Sequence, residues 1–294
     1  MKPFFSLVIL STILAHPTLA GTTFDNTEKF AWGANTGWIS FRHDQPTSPA
    51  GVVFGGAFLS GYAYAANTGW IHFGNGSPAN GYAYSNTGSD HGVNHDGAGN
   101  LSGFAWCANT GWINFGWASP SHANRPRVDL LTGAFTGHAW SANTGWVNLG
   151  TGLLTTQSMA HVDSDGDGIP DWWEMLHFGN LTTANATSDT DGDGVSDLAE
   201  YLADTDPNDP DSYLKIVSHS HDHEITQTTL EFTTTPTRLD RIEYSDDLGQ
   251  GAPWTDSALG TFAPDAGSTT IKTITYPDNP RKFFRATAIV PLTP

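Results

Sequence analysis

Cysteine is almost absent from this 294-residue chain, which holds a single one, Cys107. One thiol cannot form an internal disulfide, so the fold has to be stabilised by other means. Long apolar runs are also missing, because no stretch reaches the roughly 20 consecutive apolar residues that a membrane-spanning helix needs. The sequence therefore predicts no membrane span.

Positive charge is scarce as well. Lys and Arg number 12 against 30 Asp and Glu, which gives a formal net charge of -18. Nucleic acids and anionic membranes are bound through clustered Lys and Arg, so this balance argues against both as partners, whereas it is compatible with cations. Charged residues make up only 14% of the chain, while Gly numbers 32 and aromatic residues reach 12%. This composition favours a turn-rich β protein with little solvated helix.

Residues 1–20 have the features of a secretory signal peptide. Lys2 supplies the positive start, a short apolar run follows, and the small-residue sequence TLA precedes Gly21. We therefore predict a secreted protein that lies at the cell surface or in the extracellular space.

The region that follows, residues 21–155, repeats itself. The phrase ANTGW occurs at residues 34–38, 66–70, 108–112 and 142–146, and the flanking segments match too, as in GYAYAANTGWIHFG and GFAWCANTGWINFG. The four phrases start 32, 42 and 34 residues apart, and repeats at such intervals indicate repeated supersecondary units. Each unit has the pattern of three short antiparallel strands, with the phrase as a tight turn in which Asn and Gly take positive φ. We predict a prism, a meander or a stacked array rather than a propeller, whose blades usually have four strands.

Each repeat carries one Trp at the same place, followed two positions later by Ser40 or its equivalent; the four are Trp38, Trp70, Trp112 and Trp146. Strand alternation puts each Trp on the same face as that neighbour. In one interpretation the rings fill the space between units, as repeated aromatic residues mostly do. In the other they form a platform on which sugar rings stack. Cys107 occupies a slot held by Gly, Ala or Ser in the other units, which indicates a packing residue rather than a reactive thiol.

Acidic residues are concentrated between positions 163 and 211, where twelve Asp and two Glu occur with no Lys or Arg. A twelve-residue pattern occurs there twice, with Asp at positions 1, 3, 5 and 9, Gly at position 6 and Glu at position 12. This is the calcium-loop pattern of an EF-hand, in which position 7 contributes its carbonyl. The predicted ligands are Asp163, Asp165, Asp167, Ile169, Asp171 and Glu174 in the first loop, and Asp189, Asp191, Asp193, Val195, Asp197 and Glu200 in the second.

Carboxylates packed this closely repel one another unless a hard cation lies among them, and oxygen ligands in a flexible loop favour Ca²⁺ over Zn²⁺ or Mg²⁺. An apolar helical pattern follows each loop, but none precedes Asp163, so each unit is half of an EF-hand. We predict about two Ca²⁺ ions in residues 161–212.

The segment DSDGDGIPDWWE, followed by SDTDGDGVSDLAEYLADTDPNDPDS, resembles the thrombospondin type 3-like calcium repeats of secreted bacterial proteins, and its loops are similar to those of dockerin modules. The resemblance implies calcium at both loops and a role as a rigid spacer between extracellular modules. It leaves open a further contribution from Asp204, Asp206 and Asp209. The cohesin partner of dockerins is not implied, because Trp172 and Trp173 are unusual at that helix surface.

Residues 213–294 alternate as short strands do, for example in TTLEFTT and RIEYS. Five or six such strands predict a small β-sandwich, whose rhythm resembles immunoglobulin- or fibronectin-like modules. In this region His219, His221 and His223 would share one strand face, where zinc or copper could bind; the alternative is an exposed polar junction.

Motifs of common hydrolases and nucleotide-binding enzymes are not found: the sequence has no GxSxG, HExxH or GxxxxGK[ST]. We therefore predict a mainly β, multi-domain, secreted calcium-binding protein that is not an enzyme. Its expected role is structural or adhesive, with an extracellular macromolecule or polysaccharide as partner. The alternative is a carbohydrate-binding protein that uses the four repeated Trp residues.

Overall fold

The computed structural model describes residues 21–42, 51–222, 224, 226–246, 253–275 and 282–293. The predicted signal peptide lies outside the described residues. The chain is mainly β and multi-domain, as predicted: a barrel comes first, a short helical segment follows, and two small sheets end the chain.

Four hairpins, one for each ANTGW phrase, build the barrel. Their strands are β1 (Phe24–Gly33) with β2 (Gly37–Ser40), β4 (Leu59–Ala65) with β5 (Gly69–Gly74), β7 (Leu101–Cys107) with β8 (Gly111–Asn114), and β11 (His138–Ser141) with β12 (Gly145–Asn148). The eight strands neighbour one another in chain order, and β12 pairs back with β1. Of the arrangements predicted for the repeats, the meander is therefore the nearest, here closed into an antiparallel barrel.

A third short strand extends each unit. It is β3 (Val52–Phe54) on β4, β6 (Val93–His95) on β7, and β9 (Arg127–Val128) on β10 (Phe135–Thr136). The first unit receives its third strand from the far end of the domain, because β13 (Leu154–Thr156) pairs with β1. This pairing ties the two ends of the repeat region together.

Small and large side chains alternate around the barrel interior. In each hairpin the first strand points small residues inward and the second strand points large ones inward; in the second hairpin the buried small residues are Ala63 and Ala65, and the buried large ones are Ile71, which pairs with Ala63, and Phe73. An eight-stranded barrel is just wide enough to be filled by side chains, and this alternation fills it. Cys107 is fully buried in one of the small slots, in agreement with its interpretation as a packing residue.

The hairpin turns differ from the prediction in one respect. The glycines of the four phrases do take positive φ, for example Gly37 at 74° and Gly111 at 82°, but the asparagines do not. The Asn side chain instead joins neighbouring hairpins: Asn109 donates its amide to the Thr68 carbonyl at 2.9 Å. Asn143 and Asn35 make the same bond to their own neighbours. The prediction of positive φ at Asn was therefore wrong: the Gly of each phrase alone takes the left-handed conformation.

The chain ends in two three-stranded sheets. One has the order β14 (Ile216–Asp222), β15 (Gln227–Thr233), β18 (Thr269–Thr275), and the other β17 (Thr255–Asp256), β16 (Leu239–Ser245), β19 (Phe283–Ile289). Leu230, Phe232 and Ile274 of the first sheet pack against Ile242 of the second. In β15 the alternating pattern of the sequence thus corresponds to one strand face on a shared core, whereas β14 is exposed along its whole length.

Two seven-residue helices, α1 (Asp171–His177) and α2 (Asp197–Ala203), lie between the barrel and these sheets. In the described part of the chain, neither helix has the length and apolar character that crossing a bilayer requires.

Candidate calcium loops and aromatic belt

The two acidic loops have the same internal hydrogen bonds. In the first, the Asp163 carboxylate accepts from the Gly166 and Gly168 amides at 2.8 and 3.0 Å, and in the second Asp189 accepts from the two equivalent glycines at 2.9 and 3.0 Å. All four glycines take positive φ, which allows the chain to wrap around the first Asp. The repeated sequence pattern thus produces a repeated loop geometry.

Three carboxylates converge in each loop. Oxygen atoms of Asp163, Asp165 and Asp167 lie within 4.8 Å of one another, and the same holds for Asp189, Asp191 and Asp193. Like charges at this distance repel, and a bound cation would relieve the repulsion.

The twelfth residue of each loop is a buried glutamate. Glu174 and Glu200 are 0% exposed, and among their oxygens both of Glu174 and Oε2 of Glu200 have no hydrogen-bond partner. Burial, followed by the charge of the neighbouring aspartates, raises the pKa of each to about 7. A buried carboxylate normally has partners, so the chemistry of these oxygens fits the binding of a cation.

The remaining predicted ligands are those at positions 9 and 7 of each loop. Both oxygens of Asp171 accept from Ser164, at 2.7 Å from its amide and 2.6 Å from its hydroxyl, and Asp197 is bonded in the same way to Thr190. Ninth-position ligands often reach calcium through a water, which is compatible with this bracing role. Ile169 is fully buried in the core beneath the first loop, and Val195 is half-buried.

The donor set fits Ca²⁺. Every side-chain ligand is a carboxylate oxygen, the loops are built on glycines, and unpartnered buried oxygens remain at both twelfth positions. Hard oxygen ligands in flexible loops suit Ca²⁺ better than Zn²⁺, which prefers nitrogen and sulfur, or Mg²⁺, which demands strict octahedral geometry.

The further acidic residues and the histidines do not join these clusters. Asp204 pairs with Arg238 at 3.5 Å and Asp206 lies 3.6 Å from His177, so both have other partners. His219 and His221 lie exposed on β14, where their register places them on one face, and His223 is outside the described residues. Within the part of the chain that the structure describes, converging ligand atoms occur only in the two Asp triads.

The Trp pair at positions 10 and 11 of the first loop, in α1, anchors the segment. Trp173 is fully buried and its ring lies 5.9 Å from that of Tyr201, which joins α1 to α2. Trp172 lies against the barrel domain, so close to Gly56 that a Cβ there would be 2.7 Å from the indole nitrogen. Trp173 therefore holds the two helices together, and Trp172 packs the segment against the barrel.

The repeated Trp residues lie outside the barrel. Eight rings, each between 36% and 52% exposed, form what we call the aromatic belt: Trp32, Trp38, Tyr64, Trp70, Trp106, Trp112, Trp140 and Trp146. Each hairpin contributes one cross-strand pair of belt rings, and the ring centroids of one such pair, Trp106 and Trp112, are 4.6 Å apart. The four predicted Trp rings are therefore about half exposed on the outer face of the barrel, while small residues occupy the inward positions of the first strands. Packing between units and ligand binding both stay predictions for these rings.

Polar side chains alternate with the belt rings. Across each gap between hairpins, the polar residue that follows the Trp faces the first ring of the next hairpin, as His72 faces Trp106 and Asn114 faces Trp140. The first-strand rings of the belt were not singled out from the sequence. The signal that could have found them is the alternation in FAWGA, YAYAA, FAWCA and HAWSA, which places an aromatic residue opposite each predicted Trp.

Comparison with known proteins gives one match. The family model for the bacterial TSP3 repeat matches residues 163–179 and 189–210, which are the two calcium loops with their helices. No curated protein and no solved structure matches the chain. The fold and the site thus define a multi-domain β protein in which TSP3 calcium-binding repeats lie between β domains.

Proposed function

We propose that this protein is a secreted, non-catalytic structural or adhesive protein of the bacterial cell surface or extracellular space, in which calcium fixes a short segment between two β domains. In this proposal the C-terminal sheets are an immunoglobulin- or fibronectin-like module that docks or caps. The proposal rests chiefly on the buried, unpartnered carboxylates of Glu174 and Glu200, because they leave both loops electrostatically incomplete without a cation.

Calcium acts here through mass action. The ion binds the ordered loops and hardly binds the unfolded segment, so occupancy stabilises the ordered state by about 2.7 kcal/mol for each site when free calcium is a hundredfold above Kd. Trp172 and Trp173 then transmit the order of the first loop to the barrel and to the second helix.

Limited proteolysis of the full chain tests this function. We expect cleavage within residues 161–212 to accelerate when a chelator is added, and we expect the double variant Asp163→Ala, Asp189→Ala to be cleaved fast with or without calcium. Asp211→Asn is a matched control, because it removes an exposed acid of the same segment that lies outside both loops. Equal cleavage of the parent with and without chelator would argue against a calcium-fixed segment.

A second candidate function, carbohydrate binding, is favoured by the exposure of the aromatic belt. Indole faces stack on the apolar faces of sugar rings, and exposed aromatic surface of this extent is unusual on a protein with no partner. A concave site adjoins the belt: Trp117, which is not a belt residue, lies 4.8 Å from Trp146 at 68°, beside His138 and Asn124, around a cavity of about 260 Å³. The indole N–H of Trp117 is held by the His138 carbonyl at 2.6 Å, so that wall is fixed.

A glycan array with a fluorescence titration tests the second candidate. Binding of a sugar should change Trp fluorescence, and Trp146→Ala should weaken that binding at least tenfold, whereas Trp254→Ala, which removes a Trp of the C-terminal sheets, should leave it unchanged. Retained binding to cells or proteins with no sugar bound would favour the first function and reject the second.

A further inference from the structure

The C-terminal end of α2 is capped by the C-terminal β domain. The last carbonyls of a helix have no partner within the helix. Here Arg238 donates from Nη2 to the Tyr201 carbonyl at 2.5 Å and from Nε to the Leu202 carbonyl at 3.0 Å. Thr235 donates its hydroxyl to the Ala203 carbonyl at 2.9 Å. Three successive carbonyls of α2 therefore bind side chains of one turn between β15 and β16.

A second set of contacts fixes the residue that ends the helix. Asp204 takes a left-handed conformation with φ of 55°, and its carboxylate lies 3.5 Å from Nη2 of Arg238. The Thr237 hydroxyl donates to the same carboxylate. Arg238 is only 5% exposed, and its guanidinium lies 5.4 Å from the centre of the Tyr201 ring. The planar guanidinium donates in fixed directions, so this geometry defines one orientation of the β domain on the helix.

The same helix carries the end of the second calcium loop. Glu200, the twelfth residue, precedes Tyr201 directly, so the expected calcium ligand and the acceptors of Arg238 are consecutive residues of one seven-residue helix. The first loop is arranged differently, because its helix contacts the barrel domain through Trp172 and Met175.

We propose that Arg238 is a positioning residue that couples calcium occupancy of the second loop to the seating of the C-terminal β domain. Ordering of α2 by calcium presents its terminal carbonyls to Arg238, and seating of the domain in turn holds Glu200 in place for the ion. Such coupling is reciprocal: whatever seating adds to calcium affinity, calcium adds to seating. The inference rests on the calcium binding of the proposed function.

Calorimetric titration of calcium into the full, chelator-stripped chain tests the coupling. Arg238→Ala should weaken one of two sites by roughly 5- to 150-fold, the range typical of coupled sites. When Asp163→Ala abolishes calcium binding at the first loop, Arg238→Ala should still lower the calcium affinity of the remaining site. When Asp189→Ala abolishes binding at the second loop, Arg238→Ala should leave the calcium affinity of the remaining site unchanged. Arg285→Ala is the matched control, because Arg285 pairs with Glu243 at 2.7 Å within the C-terminal sheets.

Two further measurements keep the outcome clear. Circular dichroism and thermal unfolding in saturating calcium establish that the variant is folded, and if Arg238→Ala does not fold, Thr235→Val should weaken the same site by a smaller factor. Unchanged affinities in a folded Arg238→Ala chain, or equal weakening of both sites, would overturn the inference while leaving the proposed function intact. Absence of calcium binding in the parent would instead overturn the proposed function itself.

Discussion

The substitution Glu200→Gln probes the charge that the second loop buries. The side chain is 0% exposed and its Oε2 has no partner, and burial with the neighbouring aspartates raises its pKa from 4.5 to about 7. At about 1.4 kcal/mol for each tenfold change in acidity, holding this carboxylate ionised at pH 8 costs the calcium-free segment about 3 kcal/mol. Glutamine keeps the shape and removes the charge, so we expect the calcium-free variant to be more stable than the parent by up to that amount.

Calcium should reverse the advantage of the substitution. The parent gains about 2.7 kcal/mol from each of two occupied sites at a hundredfold excess over Kd, hence about 5.4 kcal/mol in total, whereas the variant should keep only the gain from the first loop. A local readout is needed because the chain has several domains. Pulse proteolysis across a urea series, with cleavage within residues 161–212 identified by mass spectrometry, measures the free energy of opening of this segment.

Asp211→Asn should change neither quantity, since it removes a charge outside the loops. A Glu200→Gln chain that is less stable than the parent in chelator, or that retains the full calcium-induced gain, would refute the claim that the loop buries an uncompensated charge for the ion.

Two other predictions follow from the same geometry. The pKa values of Glu174 and Glu200 are raised to about 7, so the free energy of unfolding of the calcium-free segment should be greatest below about pH 4.5 and should fall as pH rises through about 7. Calcium affinity should instead fall as pH drops below about 7, because the two glutamates become protonated. Calcium titrations at pH 8, 6.5 and 5.5 measure this affinity, and an affinity that does not change with pH would contradict the prediction. Trp173→Ala should destabilise the segment by about 3–5 kcal/mol because the ring is fully buried, whereas Trp38→Ala, at 52% exposure, should cost the barrel less than about 1 kcal/mol. Pulse proteolysis in calcium, with cleavage read within residues 161–212 for Trp173→Ala and within the barrel for Trp38→Ala, compares the two, and similar losses would contradict the prediction.

The calcium loops could be predicted from sequence because their information is local. The ligand pattern fixes positions within twelve residues, and the structure shows the same bonds from Asp163 and Asp189 to the glycines of their own loops. The strands of the repeats could be predicted for a similar reason, since alternation of side chains between two faces depends only on neighbouring residues.

Closure of the repeats and the environment of the Trp rings could not be predicted in this way. Alternation shows which residues share a face but not which face is inside. In the structure the face with Ala65, Cys107, Ile71 and Phe73 is buried, and the face with the Trp rings is exposed. The pairing of β13 with β1 joins residues more than a hundred positions apart, and the contact of Arg238 with α2 joins two regions that composition separates. Neither contact leaves a pattern in a local stretch of sequence.

Calorimetric titration of calcium into the chelator-stripped chain, alongside the variant Asp163→Ala, Asp189→Ala, tests the central claim most directly. We predict two saturable sites in the parent and none in the variant. A parent chain that binds no calcium would contradict the account, and would leave an acidic segment between two β domains whose buried glutamates have no explanation.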